Sequence, residues 1–272
     1  MKTRIALVVA AIAAIAAVSA PAAFANHSWG KYHWARTASD GSFTLDLARN
    51  TTSPWTTMLT DASSDWNAST GPSTVLHTNV VPGDDSDRRA CPPVLGRVEV
   101  CNADYGDTGW LGLAQIWIYR GGSHIAQGVT ELNDYYFSGA GRSYQYNNAA
   151  EQQHVVCQEV GHTFGLDHQD ESGISLDTCM DYYHNTSSTD LRSTTPNAGD
   201  FGELSCIYDP AFKRQLVPSL VDTTYANYTH TCRGTGHLDS FDSSTGSART
   251  SKFVARLADG ARLVTFVTWA GF

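Results

Sequence analysis

The residues from Gln158 to His168 combine a carboxylate with two imidazoles at regular spacing, in the order Gln-Glu-Val-Gly-His-Thr-Phe-Gly-Leu-Asp-His. In an α-helix, positions i and i+4 lie on one face because a turn takes about 3.6 residues. Gln158 and His162 are therefore neighbours on one face, with Glu159 beside them. Gly165 lets the chain leave the helix before His168. Imidazoles at this spacing are typical Zn²⁺ ligands, and an adjacent Glu can act as general base toward a zinc-bound water.

This stretch resembles the metzincin pattern His-Glu-x-x-His-x-x-Gly-x-x-His at four of its five fixed positions. Gln158 stands where the pattern has its first His. Further along, Cys179-Met180-Asp181-Tyr182 resembles the Met-turn that passes beneath the metal in metzincins. Met-x-Tyr is the form seen in the astacin and serralysin branches.

The resemblance implies a secreted zinc-dependent metalloendopeptidase that hydrolyses peptide bonds. In that case His162 and His168 bind the Zn²⁺, with Gln158 at the first ligand position. Glu159 is the general base toward the zinc-bound water. Met180 is the Met-turn residue, and the Tyr182 hydroxyl donates to the oxyanion.

Gln158 leaves two interpretations of the ligand set open. Its amide carbonyl could reach the ion from the usual helical position, or it could only hydrogen-bond a water. Zn²⁺ favours imidazole nitrogen over a neutral amide oxygen, so weaker metal retention is expected than in a three-His site. Gln158 also supports an alternative function, a catalytically impaired protein that keeps the fold as a secreted binding module. The intact Glu159, His162, His168 and Met180 favour the enzyme.

The elements around the motif follow from hydrophobic spacing. A helix is predicted from about Asn148 to Phe164, because Val156, Val160 and Phe164 form an apolar stripe at i, i+4 and i+8 opposite the Gln158 face. His154 lies two turns before His162, about 12 Å along the axis at 1.5 Å per residue. It is therefore interpreted as structural rather than as a metal ligand.

Earlier in the chain, a helix with Ser53 as its cap and Pro54 at its first position is predicted. Strands are predicted in Trp29–Leu47, Val75–Val81, Arg97–Cys101, Leu113–Tyr119 and His124–Phe137. The resemblance implies an α+β fold with a mixed, twisted sheet, a long zinc-binding active-site helix, the Met-turn and a C-terminal helix within Pro196–Tyr208. It also implies an edge strand antiparallel to the bound substrate.

Three segments are expected along the chain. Residues 1–25 read as a signal peptide, with a basic start, an apolar Ala-rich run and the Ala23-Phe24-Ala25 cleavage pattern. Residues 26–210 form the metzincin-like catalytic domain. Residues 211–272 form a small β-rich C-terminal extension with a hairpin turn at Asp259-Gly260.

Composition and charge limit the classes of binding partner and the cellular location expected for this chain. The formal net charge is −9 and falls further without the basic leader, which argues against nucleic acid or anionic membranes as partners. No later apolar run could span a bilayer, so a secreted, extracellular monomer acting on a protein or peptide substrate is expected.

Six cysteines in an exported chain predict disulfides, although many connectivities are possible. The proposed pairing is Cys91–Cys101, Cys157–Cys179 and Cys206–Cys232. Cys157 and Cys179 directly precede Gln158 and Met180, so their bond would tie the helix to the Met-turn.

Clustered carboxylates occur in Pro82–Arg89 and Asn102–Gly109. Structural Ca²⁺ is common among metzincins, and such oxygen ligands suit it. The spacing is not diagnostic, so solvated loops remain the alternative to Ca²⁺.

Overall fold

The computed structural model describes residue 28 and residues 32–35, 43–68, 76–138, 146–208 and 251–270. These residues form an α+β fold with one mixed eight-stranded sheet and three α-helices. The predicted signal peptide and residues 209–250, which include Cys232, lie outside the described residues. The structure therefore says nothing about the leader or the pairing of Cys206 with Cys232.

The sheet has the strand order β3-β2-β4-β6-β5-β8-β7, and β1 pairs with β6. Strands β1, β2, β3, β4 and β6 run parallel to one another, whereas the pairs β5–β6, β5–β8 and β7–β8 are antiparallel. The strands are β1 His33–Trp34, β2 Phe43–Asn50, β3 Leu76–Pro82, β4 Val98–Ala103, β5 Trp110–Ile118, β6 His124–Asn133, β7 Lys252–Arg256 and β8 Arg262–Trp269.

Helix α1, Trp55–Asn67, packs one apolar face on the core through Trp55, Leu59, Ala62 and Trp66, as their helical spacing predicts. The predicted cap was wrong, because Pro54 itself is the cap residue and no side chain caps the helix. Instead the Pro54 carbonyl accepts from the amide of Thr57.

Helix α2, Ala149–Thr163, confirms the helix predicted between Asn148 and Phe164. The Asn148 side chain caps it by accepting from the amide of Glu151. Val156, Val160 and Phe164 are fully buried in the main core. Helix α3, Ala198–Tyr208, matches the predicted C-terminal helix. Helix α2 packs against α1 and against strands β5, β6 and β8, so it lies over the part of the sheet that these three strands form.

The C-terminal residues form an antiparallel hairpin, in which β7 and β8 flank the predicted turn at Asp259-Gly260. This hairpin extends the main sheet, because β8 pairs with β5 along its length. Val264 and Phe266 of β8 are fully buried in the same core as helix α2.

Two of the three predicted disulfides are present in the described residues. Cys91 bonds to Cys101, and Cys157 bonds to Cys179, each with a Cα–Cα separation of 5.9 Å. Such bonds are typical of proteins that mature in an oxidising compartment. Within the described ranges, no helix is long and apolar enough to cross a membrane.

Candidate active site

Helix α2 and the loop that carries Met180 are packed too closely for any side chain at Gly161. A Cβ atom at this position would lie 2.5 Å from the Met180 sulfur and 2.7 Å from the Trp66 ring. The Cys157–Cys179 disulfide joins the same two segments one helical turn earlier. The loop is thereby held against helix α2 at positions directly before Gln158 and His162.

His162 and His168 meet directly, with their Nε2 atoms 3.1 Å apart. The other nitrogen of each ring, Nδ1, is hydrogen-bonded to an oxygen acceptor. His162 Nδ1 donates to the Leu166 carbonyl at 2.9 Å, and His168 Nδ1 donates to the Glu171 carboxylate at 3.0 Å. A neutral imidazole that donates through Nδ1 carries a lone pair on Nε2. With both rings in this form, the two Nε2 atoms lie 3.1 Å apart, a spacing at which one cation could bind both.

The turn between the two histidines depends on Gly165. Its φ of +100° lies in a region that L side chains rarely adopt, and its amide donates to the His162 carbonyl. A Cβ atom there would also lie 2.4 Å from the Tyr32 carbonyl oxygen. This is the helix exit expected for Gly165, and it returns the chain so that His168 faces His162.

Gln158 is fully buried, and both ends of its amide are hydrogen-bonded within the protein. The amide nitrogen donates to the Asp181 carbonyl at 2.7 Å. The amide oxygen accepts from the Thr268 hydroxyl, in β8, at 2.5 Å. Gln158 is therefore joined to the loop that carries Met180 and to the C-terminal hairpin.

Glu159 is completely buried between β5 and β8. A Cβ atom at Gly112 of β5 would lie 2.8 Å from the Glu159 Cγ, so only glycine leaves room for this side chain. Burial raises the pKa of Glu159 to about 8, although the hydroxyl and backbone of Thr268 oppose the rise. In this closed arrangement the carboxyl group holds its proton at neutral pH.

Tyr182 is buried, and its ring lies edge-on to His168 at 5.0 Å between centroids. Its hydroxyl donates to the Val267 carbonyl at 3.3 Å and accepts from the Trp269 amide at 2.6 Å. Burial raises the pKa of Tyr182, so the hydroxyl stays protonated and can donate.

A carboxylate pair flanks His168 and binds a lysine from the hairpin. Lys252 Nζ lies 2.8 Å from Asp167 and 3.3 Å from Glu171. The hydrogen bond from His168 lowers the pKa of Glu171 to about 2. Asp167, His168 and Glu171 are the single group of three metal-type ligands among the described residues. The Lys252 ammonium group already forms ion pairs with both carboxylates of this group.

A second buried polar group lies behind the site and was not predicted. Glu151 accepts from His184 Nδ1 at 2.7 Å and lies 3.6 Å from His154 Nδ1. Burial would raise the pKa of Glu151, but its two histidine partners more than offset this and lower the pKa to about 2. His154 Nε2 lies 3.1 Å from the Asp181 carbonyl, the same oxygen that Gln158 holds. His154 thus has structural partners. One feature of the sequence pointed to His154, namely its position on the same helix face as Gln158, two turns before His162.

The structure brings most of the predicted site residues together. The Nε2 atoms of His162 and His168 lie 3.1 Å apart, the rings of His168 and Tyr182 are in edge-on contact, and Met180 packs against helix α2 at Gly161. Gln158 and Glu159 share Thr268 as a neighbour on β8.

The two carboxylate-rich loops that were considered for Ca²⁺ are separate from this group of residues. The Asp84 side chain accepts from the amide of Ser86, and Asp107 accepts from the Tyr136 hydroxyl. Both carboxylates therefore have hydrogen-bond donors within the protein.

Comparison of the chain with protein-family models and with curated proteins finds no match.

Proposed function

We propose that this protein is a zinc-dependent metalloendopeptidase of metzincin type. The observation that carries the proposal is the His162–His168 pair, with Nε2 atoms 3.1 Å apart and both Nδ1 atoms tied back to oxygen acceptors. Two nitrogens bound at about 2.05 Å to one tetrahedral zinc ion are about 3.3 Å apart. Metal-binding histidines usually donate their second ring N–H to a carbonyl or carboxylate, as these two do.

The residues around the pair suit hydrolysis. Zinc, when bound, would lower the pKa of a bound water to about 7 and polarise the scissile carbonyl. Once its carboxyl group is ionised, Glu159, on the same helix as His162, would take the proton of that water and pass it to the leaving amine. Tyr182 keeps its proton and would donate to the oxyanion. Because the chain is acidic and carries disulfides, an extracellular protein or peptide substrate is proposed.

The rival proposal is a metzincin-like protein without catalysis that serves as a secreted binding module. The observation in its favour is Gln158, whose amide nitrogen and oxygen are both hydrogen-bonded within the protein, to Asp181 and Thr268. The two proposals differ in metal binding and turnover, so they are separated by the next two measurements.

The first expectation is that zinc copurifies at about one ion per chain and that the protein cleaves casein. His168→Ala should weaken zinc binding at least about a hundredfold, because it removes a direct ligand. His77→Ala is the control, since His77 is exposed on β3. Metal content, chelator competition and casein turnover provide the measurements. Wild-type protein without zinc above background would contradict the proposal. Zinc without turnover would favour the binding module if it persists in Lys252→Glu, which breaks the contact of the C-terminal hairpin with Asp167 and Glu171.

The second expectation concerns Gln158→His, which would place an imidazole at the first ligand position. Zinc affinity should rise at least about tenfold, because a nitrogen ligand replaces a weak amide oxygen or a vacant position. Gln153→His is the matched control, on the same helix but lining a cavity with Met58 and Asp61. Affinity is measured by competition with a chelator. Unchanged or weaker binding in Gln158→His would show that position 158 does not belong to the metal site.

A further inference from the structure

Strand β8 occupies the edge of β5 beside the candidate active site. The two strands run antiparallel, with Gly112 opposite Thr268 and Ala114 opposite Phe266. On its other edge, β5 pairs with β6. A strand edge can hydrogen-bond to only one partner at a time. While β8 is bound, no other extended chain can pair with β5 at this position.

Side chains of β8 cover the residues proposed for catalysis. The Phe266 ring stacks on His162 with centroids 4.3 Å apart and planes 13° apart. Two residues further on, Thr268 binds the Gln158 amide and lies beside Glu159. These contacts leave Gln158, Glu159 and His162 without exposed surface.

The backbone of β8 also binds the site. The Tyr182 hydroxyl contacts the Val267 carbonyl and the Trp269 amide, which are main-chain groups that any extended peptide possesses. A side chain that recognises main-chain atoms in this way does not depend on which peptide supplies them. The same contacts are therefore available to another chain in the same position.

The other strand of the hairpin is anchored by charge. Lys252 binds Asp167 and Glu171, which flank His168. The contact ties the start of β7 to the segment carrying the second histidine, so the hairpin is attached on both sides of the histidine pair.

We propose that the β7–β8 hairpin is an internal inhibitor, an extended strand bound where a peptide substrate would pair with β5, and that it must detach before a substrate can bind. This inference rests on the proposed peptidase function. It also describes the ligand the groove accepts, an extended peptide antiparallel to β5 with an aromatic side chain over His162.

A cross-link between β5 and β8 tests the proposal in the full chain. Gln115 and Thr265 are paired, and their side chains are 3.2 Å apart, so Gln115→Cys with Thr265→Cys can form a disulfide that locks the hairpin in place. The matched control joins Phe253→Cys to the same Thr265→Cys. It cross-links the hairpin internally and leaves it able to detach as a unit.

The locked variant is expected to lose casein cleavage, whereas the control keeps it. Zinc release to a chromogenic chelator should slow at least about tenfold in the locked variant, because the histidines are reached only through opening. A fluorescent peptide with the sequence of residues 262–269 should bind the control but not the locked protein.

A charge reversal tests opening in the other direction. Lys252→Glu places a third carboxylate beside Asp167 and Glu171, and casein cleavage should rise about tenfold as an ionic hydrogen bond is lost. Arg256→Glu is the control, with the same charge change at an exposed position of β7.

Equal peptide binding, zinc release and cleavage in the locked and control proteins would overturn the hairpin proposal. Absence of zinc and cleavage in every variant would overturn the peptidase proposal instead. In that case peptide binding still decides the role of the hairpin, since the labelled peptide must bind the control and be excluded from the locked protein.

Discussion

Glu159→Ala is expected to lower casein cleavage about a thousandfold or more while zinc stays bound. In the proposed mechanism Glu159 transfers a proton and does not bind the metal. Its loss therefore removes proton transfer and leaves the zinc ligands in place. Cleavage is measured in the full chain and again in the Lys252→Glu background, where the hairpin is expected to open more often. Zinc content is measured on the same samples.

The isosteric variant Glu159→Gln is the control for shape. It fills the space beside Gly112 but cannot accept a proton, so it should be as inactive as Glu159→Ala. Zinc content near the wild-type value in both variants would assign the loss to the base. Cleavage by either variant at the wild-type rate would refute the mechanism, and loss of zinc would mean that Glu159 supports the metal site instead.

Gly165→Ala is expected to destabilise the protein by about 3 kcal/mol or more, with loss of the His162–His168 contact. Two costs add at this position: a positive φ that disfavours any Cβ, and a backbone oxygen of Tyr32 at 2.4 Å from where that Cβ would lie. The oxygen belongs to the main chain, so it cannot move aside like a flexible side chain. The free energy of unfolding in urea measures the effect.

Gly121→Ala separates the two costs. Gly121 also has a positive φ, of +71°, but no atom lies within 4 Å of its would-be Cβ. This control should cost only about 1 kcal/mol, from the backbone conformation alone. Equal losses of stability in the two variants would show that the contact with Tyr32 is relieved by movement of the chain.

Helix α2 could be predicted because its signals are local. The apolar stripe Val156, Val160 and Phe164, the cap at Asn148 and the exit at Gly165 all lie within one stretch of sequence. The disulfide between Cys157 and Cys179 was also predictable, since the resemblance placed both cysteines beside the same site.

The position of the hairpin could not be predicted in the same way. Alternation of side chains indicates that Leu263 to Trp269 form a strand, but it carries no information about which edge that strand joins. The partners of Gln158 were missed for this reason, because Thr268 reaches it only once β8 lies on β5. The cap of α1 was missed because Ser53 makes no capping contact and Pro54 takes that position.

The pairing of β5 with β8 also bears on how the chain folds. Gln115 and Thr265 are 150 residues apart, so this part of the sheet closes a very long loop and is expected to form late. Before β8 pairs with it, β5 presents an unpaired edge on which another chain could form a strand. We therefore expect a chain truncated before β8 to expose that edge permanently and to aggregate more readily than the full chain.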